Sequence, residues 1–202
     1  YDCATPHTHT HEEAELEIAQ WFDFLKQQGA GNIIALGHSR GGNQTARFAA
    51  SQPSPALSHV VLIAPMTWDT RKVAKGYQSR YKTPLRPLLE KATRLNADSS
   101  KTAQLENIDF IYCEDTTADA ASFVSYYKDD TQKHTPEVIK TLTQPTLVIT
   151  GSEDDVVEDL PAALAEISSR DGLKTISIDG ADHFFRDLYA DEVVEHIIEF
   201  IE

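Results

Sequence analysis

Residues 32–50 read NIIALGHSRGGNQTARFAA, and the fold turns on how this stretch divides. Residues 32–37 form a short apolar run between Gly31 and Gly37, the pattern of a strand buried on both faces of a parallel sheet. Residues 43–50 are small and helix-compatible, and Pro53 and Pro55 close the unit. Between strand and helix lies Gly37-His38-Ser39-Arg40-Gly41, a G-x-S-x-G pattern that places its serine in a strained strand-to-helix turn. Glycine two positions to either side lets the backbone turn that tightly without a Cβ clash, and Gly42 adds further room. Chance alone supplies roughly one such match in fifteen chains of this length. The strand before and the helix after give the pattern its weight.

The same alternation extends in both directions. Upstream, residues 12–28 carry Leu16, Ile18, Ala19, Phe22 and Leu25 at largely helical spacing, with carboxylates in the first turn where the helix dipole favours them. Downstream, residues 59–64 (HVVLIA), 146–151 (TLVITG) and 174–179 (KTISID) read as further strands. Helices fit at 161–169 and at 189–201, the latter with Val193, Val194, Ile197, Ile198 and Ile201 on one face. Strand and helix in alternation predict an α/β fold with a parallel sheet. About eighty residues between Ala64 and Thr146 break the rhythm, far more than an ordinary connection needs. The expectation is a mainly helical cap over residues 66–143, inserted between the second and third strands of a core made of residues 1–65 and 144–202. Its aromatics, Trp68, Tyr77, Tyr81, Phe110, Tyr112, Phe123, Tyr126 and Tyr127, are expected to form mostly its own core.

Composition excludes several classes. With 41% hydrophobic and 25% charged residues, 9 Gly and 9 Pro, the 202-residue chain is neither disordered nor fibrous. No apolar run approaches the roughly 20 residues that cross a bilayer, and residues 1–20 lack the apolar stretch of a signal peptide. A net charge of −14 repels phosphate backbones and anionic surfaces, so no nucleic-acid partner is expected. Cys3 and Cys113 lie far apart and form no CxxC; two reduced thiols in a soluble chain are the expectation, and localisation stays open between the cytoplasm, slightly favoured, and export.

A serine hydroxyl needs a histidine to take its proton and an acid to orient that histidine. Candidates for both follow strands: Gly151-Ser152-Glu153-Asp154-Asp155, and Ala181-Asp182-His183-Phe184 after Gly180. Sites of open α/β sheets collect at such strand ends. In the motifs GHSRGG, GSEDDVV and GADHFF, and in its order of elements over nearly its whole length, the chain resembles the C-terminal two-thirds of an α/β-hydrolase fold serine hydrolase. The resemblance implies Ser39 as nucleophile, Asp154 as triad acid and His183 as general base, with Asp155 and Glu153 left open as alternatives for the acid. It also implies the backbone N–H of Arg40 as one oxyanion-hole donor, the second coming from a loop near an upstream strand that this chain does not contain. With only the last four strands of the family's sheet visible and Tyr1 in place of a methionine, upstream strands are expected to be missing, which would leave strand 32–37 as an apolar edge.

The implied reaction is acyl transfer from an ester, thioester or amide of a small to medium, partly apolar substrate, without cofactor or metal. A non-catalytic relative that binds a ligand or a protein is the alternative. A dehalogenase-type relative would need a carboxylate where Ser39 stands. The alternating His7, His9 and His11 are read as solvated or hydrogen-bonded rather than as metal ligands, and His38 as packing against the elbow. His59, His134 and His196 carry no partner pattern. Asp182 is read as structuring its loop. Glu153, Asp155, Glu158 and Asp159 are read as a solvated rim around one functional Asp, because they lack the spacing of a calcium loop.

Overall fold

A computed structural model describes residues 2–97 and 103–202; the reading attached to Tyr1 lies outside them. In chain order the elements are α1 (His11–Gln27), β1 (Ile33–His38), α2 (Ser39–Ser51), β2 (Leu57–Ile63), α3 (Thr70–Tyr81), α4 (Leu85–Ala97), β3 (Gln104–Phe110), β4 (Cys113–Asp119) and α5 (Ala120–Tyr127). A 3-10 turn (Thr131–Lys133) follows, then α6 (Thr135–Ile139), β5 (Thr146–Gly151), α7 (Leu160–Glu166), β6 (Leu173–Ile178) and α8 (Leu188–Ile201). They form two compact units: Glu15–Trp68 with Thr131–Glu202, and Asp69–Asp130 with the segment that ends at Ala14.

The first unit is built on a four-stranded parallel sheet in the order β1-β2-β5-β6. Its two inner strands are apolar without alternation because both faces are covered: Val60, Val61, Leu62, Leu147, Val148 and Ile149 are fully buried. β1 departs from the expected two-sided burial, with Leu36 51% exposed, because among the described residues it pairs with β2 alone. α2 presses Ala46, Phe48 and Ala49 onto the sheet, and Phe22 of α1 meets Phe48 edge-on at 5.4 Å between ring centroids. On α8 the buried stripe is narrower than expected, since Val193 is buried while Val194 and Ile198 stay about half exposed.

In the second unit helices make up the larger part of the regular structure. Three helices, α3, α4 and α5, share it with an antiparallel hairpin of β3 and β4. Leu105, Ile108 and Phe110 of β3 point inward at spacings of three and two, because a register shift with Asn107 at φ 52° breaks the two-residue period. They pack with Tyr77, Leu85, Ala92, Ala118, Phe123 and Tyr126 into a core separate from that of the sheet. Most of the inserted aromatics thus form a core of their own, apart from Tyr112, which is 60% exposed, and Trp68, which belongs with the sheet unit.

The first residues of the chain belong with this unit rather than with the sheet, and residues 131–143 with the sheet rather than with the insertion. The His7 N–H donates to the Thr117 carbonyl and the Asp119 N–H to the His7 carbonyl, so His7 extends the hairpin along the outer edge of β4. This brings Cys3 beside Cys113, Cα to Cα 5.3 Å, and the two form a disulfide instead of the expected free thiols.

Candidate active site

Three strand ends of the sheet unit build the site. β1 ends at His38 in extended backbone, and Ser39 opens α2 at φ 55°. That left-handed conformation costs a non-glycine residue about 1–2 kcal/mol. The turn is enforced by close packing: a Cβ on Gly37 would sit 2.5 Å from Thr45 Oγ1 and against the Gly41 carbonyl, and one on Gly42 would sit 3.0 Å from Pro65 Cβ. Gly41 itself faces open space, so Gly37 and Gly42 are the glycines the elbow demands. The Ser39 carbonyl accepts the Met66 N–H at 3.0 Å, tying the elbow to the chain that leaves β2.

His183 stands in the irregular segment after β6, with its Nε2 2.8 Å from Ser39 Oγ and its Nδ1 2.8 Å from Asp154 Oδ2. The side chains of His183 and Asp154 are almost wholly buried, at 5% and 4% exposure. A carboxylate only accepts, so Nδ1 carries the hydrogen and Nε2 is left to accept from the serine hydroxyl. The other carboxylate oxygen of Asp154 accepts the N–H groups of Val156 and Val157, at 2.8 and 3.1 Å. Both oxygens are therefore fixed, and the acid cannot swing away from the ring.

Glu153 and Asp155 point elsewhere and are exposed, which separates them from Asp154 in a way the sequence could not. Asp159, in the same acidic run, accepts the Thr67 hydroxyl at 2.9 Å. Asp182 caps the Phe184 N–H at 2.8 Å and shapes the turn that presents His183. Ser152, unremarked in the sequence, accepts the Gly180 N–H at 2.8 Å and so joins the segments after β5 and β6. Arg40 lies in the first turn of α2, where backbone N–H groups have no acceptor within the helix. His38 directs Nε2 to the His183 carbonyl oxygen, 2.7 Å away.

The remaining histidines take partners outside this series. His7 and His11 are buried among aromatics: His7 lies 5.2 Å from Phe110, and His11 meets Tyr126 at right angles at 5.9 Å. Neither is solvated. His134 accepts the Trp68 N–H, His59 meets Phe200 edge-on and His196 lies near Glu192 and Glu199. Among the described residues no group of three or more His, Cys, Asp or Glu is placed to hold a metal ion, and no helix is long and apolar enough to cross a membrane.

A hydroxyl, an imidazole and a carboxylate in hydrogen-bonded series can pass a proton from oxygen to ring nitrogen as the oxygen attacks an electrophile. Comparison with known proteins agrees with hydrolytic chemistry. The model of the family described as "Serine aminopeptidase, S33" matches residues 7–186. A monoacylglycerol lipase from Paleococcus ferrophilus is similar in structure at a TM-score of 0.64 and 19% identity, over 96% of this chain and 76% of that one. Est1E from Butyrivibrio proteoclasticus aligns at 0.57 and 17%, over 96% and 72%. An alpha/beta hydrolase, GrgF, from Penicillium sp. sh18 aligns at 0.64 and 12%, again over 96% and 72%. No curated protein sequence matches the chain.

Proposed function

Because the chain belongs to the S33 serine aminopeptidase family of α/β hydrolases, we propose that it is a serine hydrolase cleaving a small to medium carboxylic ester through an acyl-enzyme. The observation that carries this reading is the unbroken series Asp154 Oδ2, His183 Nδ1, His183 Nε2, Ser39 Oγ, with 2.8 Å at each of its hydrogen bonds.

In the forward step Ser39 Oγ attacks the substrate carbonyl while His183 Nε2 takes the hydroxyl proton, and Asp154 steadies the imidazolium so formed. The Arg40 N–H donates to the oxyanion of the tetrahedral intermediate. Collapse expels the alcohol, which receives the proton from His183 and leaves the acyl group on Ser39. Water, deprotonated by the same ring, then releases the acid. The family's description as a serine aminopeptidase points to peptide amides, whereas the similar structures include a monoacylglycerol lipase. An ester is favoured here because its carbonyl is less stabilised by resonance than that of an amide and is the more readily attacked by a serine oxygen. The Cys3–Cys113 pair supports folding in an oxidising compartment rather than in the cytoplasm.

The test is a panel of p-nitrophenyl acetate, butyrate and octanoate beside amino-acid p-nitroanilides, with quenched samples digested and mapped by mass spectrometry. The reading requires a burst of nitrophenol, acyl groups on the peptide that contains Ser39, and faster turnover of esters than of anilides. Anilide turnover above ester turnover would replace the esterase by a peptidase, and a folded chain that acylates nowhere would contradict the hydrolase reading.

A further inference from the structure

We propose that His38, the residue before Ser39, is a positioning residue: it holds the main chain of His183 so that the His183 ring reaches the nucleophile. The proposal rests on the reading of Ser39 and His183 as nucleophile and base. The His183 carbonyl oxygen can only accept, so His38 Nε2 carries a hydrogen and donates it across 2.7 Å. Ser39 meets the side chain of His183 at Nε2, 2.8 Å away. Two consecutive residues therefore clasp one histidine, the first by its backbone and the second by its ring. The two imidazoles lie 4.9 Å apart between centroids with their planes inclined by 47°, and the ring of Phe184 lies 6.3 Å from that of His38.

This bond matters because no regular element fixes His183. The segment from Asp179 to Asp187 lies between β6 and α8 and includes left-handed backbone at Gly180, Phe185 and Asp187. Asp154 holds the ring of the base at Nδ1, and the anchors of the segment's main chain precede the base or act locally: the Gly180 N–H on Ser152 Oγ, the Glu153 N–H on the Ala181 carbonyl, and the Asp182 turn onto Phe184. The bond from His38 joins the main chain of the base directly to the strand that bears the nucleophile. It closes a ring that runs from Ser39 Oγ through His183 to His38 and back along one peptide bond. The separation of Oγ and Nε2 is set within that ring. A shift of about 1 Å in such a geometry can cost about 100-fold in rate.

The experiment compares His38→Gln, whose amide nitrogen extends to about the place of ring Nε2, with His38→Asn, whose amide stops short of the carbonyl. The readout is the rate at which a fluorophosphonate labels Ser39, measured against probe concentration, beside the thermal midpoint of each protein. His38→Asn is expected to lower the maximal labelling rate by about 10- to 100-fold with the half-saturating concentration and midpoint little changed, and His38→Gln to recover most of the loss. Labelling of His38→Asn at the wild-type rate, or of folded His38→Gln as slowly as His38→Asn, overturns the role. Nitrogen-15 histidine NMR of the unmodified protein reads the bond without any variant: Nε2 of His38 must be protonated, and an Nδ1–H tautomer contradicts the inference. A wild-type chain that takes no label overturns the reading of the site, and the positioning role with it, while the tautomer still reports on the bond.

Discussion

Residues 15–68 with 131–202 are organised by a parallel sheet whose inner strands pair on both sides and bury every side chain between Val60 and Leu62 and between Leu147 and Ile149. Residues 69–130, with the segment ending at Ala14, are organised by a bulged hairpin, an aromatic cluster and one disulfide. The two solutions have different consequences. In the sheet, hydrogen bonds between strands fix where each strand stops, and polar side chains placed just beyond those ends inherit that precision. Ser39, Asp154 and His183 follow β1, β5 and β6 respectively. In the other unit a covalent link and ring packing substitute for a continuous sheet, and its polar groups, such as the Tyr77 and Tyr81 hydroxyls on the Asp109 and Ile111 carbonyls, close its own structure.

The contrast breaks most visibly at the nucleophile. Ser39→Ala should lower ester turnover by about 10⁴-fold or more, with hydrogen exchange in β2 and β5 unchanged; residual turnover within about tenfold of wild type would place the chemistry elsewhere. Asp154→Asn should cost about 10²- to 10⁴-fold, since it removes the acceptor for Nδ1–H, whereas Asp155→Asn should stay within about twofold. Equal losses at the two positions, measured as kcat/KM on the same ester, would undo the assignment of the acid.

The second unit should respond in stability instead. Replacing Cys3 and Cys113 together by Ser should destabilise it by about 2–5 kcal/mol, seen as faster amide exchange over β3 and β4 while β2 and β5 keep their protection. Uniform loosening of both sets of strands would mean that the two units unfold as one. The smallest effect concerns His7. Burial holds its ring below the ordinary histidine pKa of 6.5, so it stays neutral in the folded chain at pH values where the unfolded chain takes up a proton. Its contribution is fully present above 6.5 and is lost as the pH falls from 6.5 to the lowered native value. The drop in thermal midpoint between pH 7.5 and 5.5 should shrink in His7→Phe, and an unchanged drop would remove His7 as its source.

The two units also differ in how much of them the sequence betrays. The strands of the sheet were legible because two-sided burial writes continuous apolar runs, as in HVVLIA and TLVITG, and the elbow because Gly37 and Gly42 have no room for a Cβ. The hairpin was hidden by its own bulge. With Asn107 in the left-handed region, the inward residues Leu105, Ile108 and Phe110 lose the two-residue period, and β4 offers only Cys113, Thr116, Ala118 and Asp119 as buried positions. The disulfide joins residues 110 positions apart through the strand-like pairing of His7 with Ala118, a placement no local pattern records. Within the site, Asp154 stands apart from Glu153 and Asp155 through its bond to His183, 29 residues downstream, and through the N–H groups of Val156 and Val157, and His38 gains its partner from a segment 145 residues downstream.

We propose that the sheet unit holds Ser39 as an activated nucleophile, and covalent labelling by a fluorophosphonate tests this without knowledge of the substrate. A single modified peptide containing Ser39 is expected, with labelling lost in His183→Ala although that variant remains folded. Labelling that persists at the wild-type rate in His183→Ala, or a folded chain that takes no label at Ser39, would contradict it.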